Sequence, residues 1–182
     1  MEKPTTIFFH DFPDFTPNLT PIQIFKLGSF GGGYWRPIFS GVQNRQLQNR
    51  HLLKRIKPIF EHFNQNETQK LLTSSDYQIS VNRYKVKCGS SLIDWESKNW
   101  IIKQDPYGWV EWYCHFFQGR RSKDDSRQID RWKKLAGPNG RFRKRLINMI
   151  KKNNKNFDDF SVSPVIRQTL QHWGYVITKK DL

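Results

Sequence analysis

The chain has 182 residues, with 31 Lys and Arg against 16 Asp and Glu for a net charge of +15 and a sequence pI of about 10.0. That length accommodates one domain with a real core and argues against a second, since domains commonly run about 100–150 residues. No run of about 18 apolar residues is present, and no short apolar stretch sits behind basic residues at the start; neither a spanning helix nor a signal peptide is expected, and the expected location is intracellular, nucleus or cytoplasm.

Hydrophobic content is a modest 36%, but aromatics reach 15% with seven Trp. Rings that bury roughly 150–250 Å² each can build this core. Cys88 and Cys114 are too few for a disulfide scaffold and read as two buried thiols.

Residues 1–19 carry Pro4, Pro13 and Pro17 among Phe8, Phe9, Phe12 and Phe15, which disfavours helix and predicts an extended aromatic arm lying on the domain. The domain proper is expected over 20–176, with 177–182 a tail. Thr20, Pro21 and Gln23 have the spacing of a capping box with Pro at the first helical position, and Gly28 is a stop, so a short helix over 20–27 follows. From Asn44 to Lys57, Leu47, Leu52, Leu53 and Ile56 alternate with five cations, predicting a basic amphipathic helix limited by Pro58. A short helix is read over 67–72, and Tyr77–Cys88 is read as a small β-hairpin turning near Asn82-Arg83. Ser90-Ser91 caps another short helix that ends near Asn99.

Trp109, Trp112, Tyr113, Phe116 and Phe117 fall at i, i+3, i+4, i+7 and i+8, one apolar stripe of a buried helix. Asp105 and Pro106 suit its N-cap and first position, and Gly119 its stop. Asp124 or Asp125 caps the next helix, whose inner face is Ile129, Trp132, Leu135 and Ala136, stopped by Gly137-Pro138. Arg141–Lys152 forms another with Phe142, Leu146, Met149 and Ile150 inward, and Ser163-Pro164 opens a last helix closed by Gly174. The expected fold class is mainly α: a single compact helical domain, helix-turn-helix-like in its C-terminal half, with an extended N-terminal arm and one small β-hairpin.

The blocks Asp105-Pro106-Tyr107-Gly108-Trp109, Gly119-Arg120-Arg121, Arg127-Gln128-Ile129-Asp130-Arg131-Trp132 and His172-Trp173-Gly174-Tyr175, with Leu27-Gly28-Ser29-Phe30-Gly31-Gly32 upstream, resemble a family of small basic proteins to which no activity is attached. The resemblance spans nearly the whole chain. It implies one coherent domain and transfers no catalytic residue.

Charge points to the partner. From Gly119 to Lys155 there are fourteen Lys and Arg against three Asp, a net +11. Phosphates recruit such cations because neutralising them releases condensed counterions. Helix 125–136, the turn Gly137-Pro138-Asn139-Gly140 and the helix from Arg141 outline a helix-turn-helix. The expected contacts are Arg120, Arg121, Arg127, Arg131, Lys133, Lys134, Arg141, Arg143, Lys144, Arg145, Lys151 and Lys152, mainly to phosphates, with DNA favoured over RNA. Gly31, Gly32 and Gly33 beside Tyr34, Trp35 and Arg36 suit a phosphate or base loop, against the plainer reading of a tight turn with two core rings. That stretch lacks the spacing of a P-loop or dinucleotide fingerprint, and no cofactor is expected.

Glu111 and His115 lie four apart without a visible third partner, which fits a helical ion pair better than a metal site, and no metal is expected. A non-catalytic protein is the leading expectation. The alternatives are a nucleic-acid-processing enzyme, which would have to assemble carboxylates such as Asp94, Glu96, Asp105, Asp124 and Asp125, and a basic partner for an acidic protein or membrane surface.

Overall fold

In the computed structural model of the chain, residues 5–48 and 56–182 are described. Among them the fold is mainly helical. In chain order come α1 (Pro21–Lys26), β1 (Ile38–Ser40), β2 (Arg45–Leu47), α2 (Lys57–Phe60), α3 (Gln65–Leu71), α4 (Leu92–Ser97), α5 (Trp109–Phe117), α6 (Asp125–Leu135), α7 (Arg141–Lys152) and α8 (Pro164–His172). The two strands form one antiparallel hairpin, Ile38 opposite Leu47 and Ser40 opposite Arg45.

The stripe of α5 is the centre of the core. Trp109, Trp112, Tyr113 and Phe116 are buried, while Phe117 at its end stays partly exposed. Phe15 from the N-terminal segment plugs into this stripe, with ring centroids 5.6 Å from Trp112, Tyr113 and Phe116 and 5.1 Å from Trp132 of α6. Most of these contacts are edge-to-face, the arrangement that aromatic quadrupoles favour. The same segment is clamped to the chain's other end: Asn18 Nδ2 donates to the Val176 carbonyl at 2.8 Å, and Val176 N–H donates back to Asn18 Oδ1 at 2.8 Å. Arg143 reaches Asp181 at 2.6 Å, so the last residues are also held to α7.

Local chemistry accounts for most boundaries. Thr20 and Gln23 form the expected capping box at α1, Ser91 and Asp94 form one at α4, and Asn64 with Glu67 caps α3 two residues earlier than the sequence suggests. α7 and α8 occupy their expected spans.

Three expectations are corrected. The hairpin lies at 38–47, not at 77–88: Asn44 takes a positive φ in its turn, and Arg45–Leu47 is strand where a helix from Asn44 was expected. The rest of that basic helix falls largely on residues 49–55, outside those described; Pro58, read as its limit, stands in the first turn of α2, where a missing N–H costs nothing. Segment 77–88 instead folds around the buried Asn82, whose Oδ1 accepts from Gly31 N–H and whose Nδ2 donates to Tyr77 Oη and to the Val86 carbonyl. One satisfied amide replaces a strand ladder there. Finally, α5 begins at Trp109 and not at Pro106. Asp105 is drawn into an ion pair with Arg120, and Tyr107 N–H is taken by Glu111 Oε2 at 2.8 Å.

Trp112 is fully buried and also donates its Nε1–H to Asp125 Oδ1 at 2.8 Å. Trp112→Ala should therefore destabilise the domain by about 3–5 kcal/mol in urea denaturation, through lost transfer energy, a cavity and the loss of one of the donors to Asp125. An unchanged midpoint would contradict this placement.

Candidate nucleic-acid interface

α6, its turn and α7 make a close-packed pair. A Cβ on Gly140 would lie 2.5–2.7 Å from the backbone of Leu135 and Ala136, so only glycine lets the chain return so tightly onto the end of α6. Trp132 Nε1–H donates to the Trp173 carbonyl at 2.8 Å and fixes α6 to the end of α8. Leu146 and Ile150 of α7 are buried, with Phe142 and Met149 half-buried beside them, and α7 packs on α6 and α8.

The opposite face of α7 is the basic surface. Arg141, Lys144, Arg145, Lys151 and Lys152 are exposed and, with exposed Asn148, follow i, i+3, i+4, i+7, i+10 and i+11, a single stripe on a 3.6-residue helix. Among the described residues none of these cations has a carboxylate within ion-pair distance, and neither does exposed Lys134 on α6.

The other expected contacts are turned to internal use. Arg120 forms a bidentate pair with Asp105, whose side chain is fully buried. Arg121 pairs with Asp11 and lies 3.9 Å from the Phe116 ring centroid. Arg127 pairs with Asp124, Lys133 with Asp14 at 2.8 Å, and Arg143 with Asp181 while covering the Tyr175 ring at 4.2 Å. Arg131 is half-buried, donates to the Trp100 carbonyl and Gln128 Oε1, and lies 5.4 Å from both the Trp100 and Trp173 rings. Burial, helped by the neighbouring Arg127, lowers its pKa to about 10, which still leaves it charged at neutral pH.

Beside the start of α7 a cavity of about 230 Å³ opens. Trp95, Trp100, Trp109 and Trp173 wall it with Phe30 and Phe142, and Arg131 and Arg141 line it too. His172 lies on it, stacked on Phe30 with centroids 3.9 Å apart. Because Phe30 N–H donates to His172 Nε2 at 3.1 Å, the neutral ring carries its proton on Nδ1, 3.4 Å from Cys88 Sγ. Burial lowers the His172 pKa to about 3 and raises that of Cys88 to about 11. Cys114, buried near Glu111 and Asp105, is also pushed well up. Both thiols stay protonated at neutral pH, the unreactive form.

The glycine stretch is a turn packed into the core. Gly31 and Gly32 have positive φ, and a Cβ on Gly32 would meet the Lys70 carbonyl at 2.0 Å. Trp35 is fully buried, Tyr34 is buried with its hydroxyl donating to the Tyr107 carbonyl, and Arg36 Nη1 donates to the Gly33 carbonyl at 2.8 Å.

Asp105 supplies the third group that the spacing of Glu111 and His115 did not reveal. One ligand atom from each lies within 4.8 Å of the others. Arg120 already grips both oxygens of Asp105, and Glu111 accepts from Tyr107 N–H, so both carboxylates are engaged within the protein. The remaining carboxylates weighed for catalysis have structural duties: Asp94 caps α4, Glu96 accepts from Gly41 N–H, Asp124 holds Arg127, and Asp125 accepts from Trp112 and Ser122. Comparison with protein-family models, with curated proteins and with solved structures returns no match.

The aromatic cavity was not legible in the sequence. Trp95, Arg131 and Trp173 come from three distant stretches, and only the weak signal of seven Trp in a basic chain pointed to it.

Arg120→Ala leaves the Asp105 carboxylate buried without its cation and should cost about 3–5 kcal/mol in urea unfolding, with Asp105→Asn added to it restoring part of the loss. His172 binds its proton far more weakly folded than unfolded, so its contribution is complete above about pH 6.5 and is lost as pH falls toward about 3, at up to about 1.4 kcal/mol per pH unit. Denaturation of the wild type against His172→Gln between about pH 6.5 and 5 should show the steeper decline in the wild type.

Proposed function

We propose that the protein binds DNA through the outer face of α7, mainly by phosphate contacts. The observation that carries this reading is the stripe Arg141, Lys144, Arg145, Lys151 and Lys152, exposed and without a carboxylate partner among the described residues, in a chain that pairs most of its neighbouring cations internally. Solubility alone gives no reason for that division.

The position of the charge supports it further. The first turn of α7 holds exposed Arg141 and Lys144, followed by exposed Arg145, with no acidic residue of its own, while Arg143 is paired with Asp181 and Gly140 provides no side-chain cap. Cations there oppose the helix dipole, at about 0.3–1 kcal/mol each when exposed. A phosphate at the same end would reverse the sign of that interaction and accept from the first amides. DNA is favoured over RNA because an outward helix fits the wide major groove of B-form DNA, whereas the A-form groove is too deep and narrow for side chains to read.

The contacts proposed are Arg141, Lys144, Arg145, Lys151 and Lys152, with Lys134 adjoining. Lys151→Ala with Lys152→Ala should weaken binding about equally on every duplex sequence and flatten the plot of log K against log salt by roughly one unit for each phosphate left without its cation. A folded protein whose affinity for duplex DNA stays weaker than about 10⁻⁴ M at physiological salt would rule the reading out.

A further inference from the structure

We infer that the cavity beside the start of α7 receives a single unpaired base of the bound strand, whose phosphate lies at Arg141 and the first amides of α7. This rests on the proposed DNA binding and adds what the strand presents.

Four features choose the ligand class. The walls are aromatic, with four Trp and two Phe, and unpaired bases stack on such platforms whatever their sequence. A volume of about 230 Å³ lies below the roughly 300–1,000 Å³ of sites for drug-sized ligands and suits one ring system. Aromatic cages often hold cations, but here Arg131 and Arg141 border the space and no Asp or Glu lines it among the described residues. A cation is repelled, and a flat ring carrying a negative group is favoured. Arg131, half-buried and without a carboxylate partner among the described residues, is a charge held in place before any anion arrives.

Connectivity ties the cavity to the strand. Arg141 belongs both to the cavity lining and to the basic stripe, and its guanidinium lies 4.8 Å from the ring of Phe142, which also lines the cavity. A backbone following α7 thus passes the opening. A base turned out of the stack there enters among the Trp and Phe rings, beside the Arg131 guanidinium that already lies on Trp100 and Trp173, and His172, uncharged and stacked on Phe30, adds no charge to the wall. Unstacking is least costly where a base is mismatched or unpaired, so such sites are selected over intact duplex.

The test measures binding by fluorescence anisotropy, at one salt concentration, to three duplexes: fully paired, carrying one unpaired base, and carrying an abasic nucleotide at that position. The wild type should prefer the unpaired base over both others by about tenfold, in line with stacking of one base on aromatic side chains. Trp100→Ala should bring the unpaired-base duplex down toward the abasic one, and Lys151→Ala with Lys152→Ala should weaken all three together. Should Trp100→Ala fail to fold, the wild-type comparison of unpaired against abasic duplex decides alone. Equal affinity for the three duplexes would overturn the base pocket while leaving phosphate binding intact. Binding to none would overturn both. A free nucleoside 5′-monophosphate that binds when no strand does would overturn the link between cavity and strand.

Discussion

Everything on the basic side of the molecule depends on how Trp112 meets Asp125. The indole is buried among Phe15, Phe116 and Trp109, and its one polar atom points at the carboxylate that also accepts from Ser122 N–H and Oγ. A buried N–H without an acceptor costs about 1–3 kcal/mol, so the indole needs this carboxylate, which Ser122 holds in place with two further donors. The bond fixes where α6 begins relative to α5. The glycine turn then sets α7 against α6, and Trp132 holds α6 to the end of α8. The outward direction of α7 is a consequence of the aromatic core.

Charge in the C-terminal half divides into two populations with different physics. Arg120, Arg121, Arg127, Lys133 and Arg143 neutralise Asp105, Asp11, Asp124, Asp14 and Asp181, and two of them, Arg121 and Arg143, also lie on aromatic rings. The buried Asp105–Arg120 and Asp181–Arg143 pairs are those whose rupture would strand a charge; Lys133–Asp14, exposed on both sides, is worth little to stability. The second population, on α7, repels itself and opposes the helix dipole at its start. A net +15 that was uniformly solvated would have no reason to sort itself in this way.

Periodicity and caps carried the fold. The stripe of α5, the capping box at Thr20, the spans of α7 and α8 and the Gly137–Gly140 turn could all be read because each rests on residues within one or two helical turns. What could not be read was decided by long-range partners. Asp105 looks like an N-cap until Arg120, fifteen residues later, claims it, and the 77–88 segment alternates like a hairpin until Asn82 is seen satisfying Gly31. The same limit governs the site. Sequence spacing found the basic stripe but could not separate Arg141 from Arg143, since the partner of Arg143 is Asp181 at the far end of the chain. It found no cavity either, because its walls converge from residues 30 to 173.

The most direct test of α7 as the binding face is lysine acetylation footprinting of the folded protein with and without duplex DNA. Lys144, Lys151 and Lys152, exposed and unpaired among the described residues, should react readily in the free protein and should be the lysines most strongly protected in the complex. Unchanged reactivity of all three at saturating DNA, with protection elsewhere, would contradict the assignment of α7 as that face.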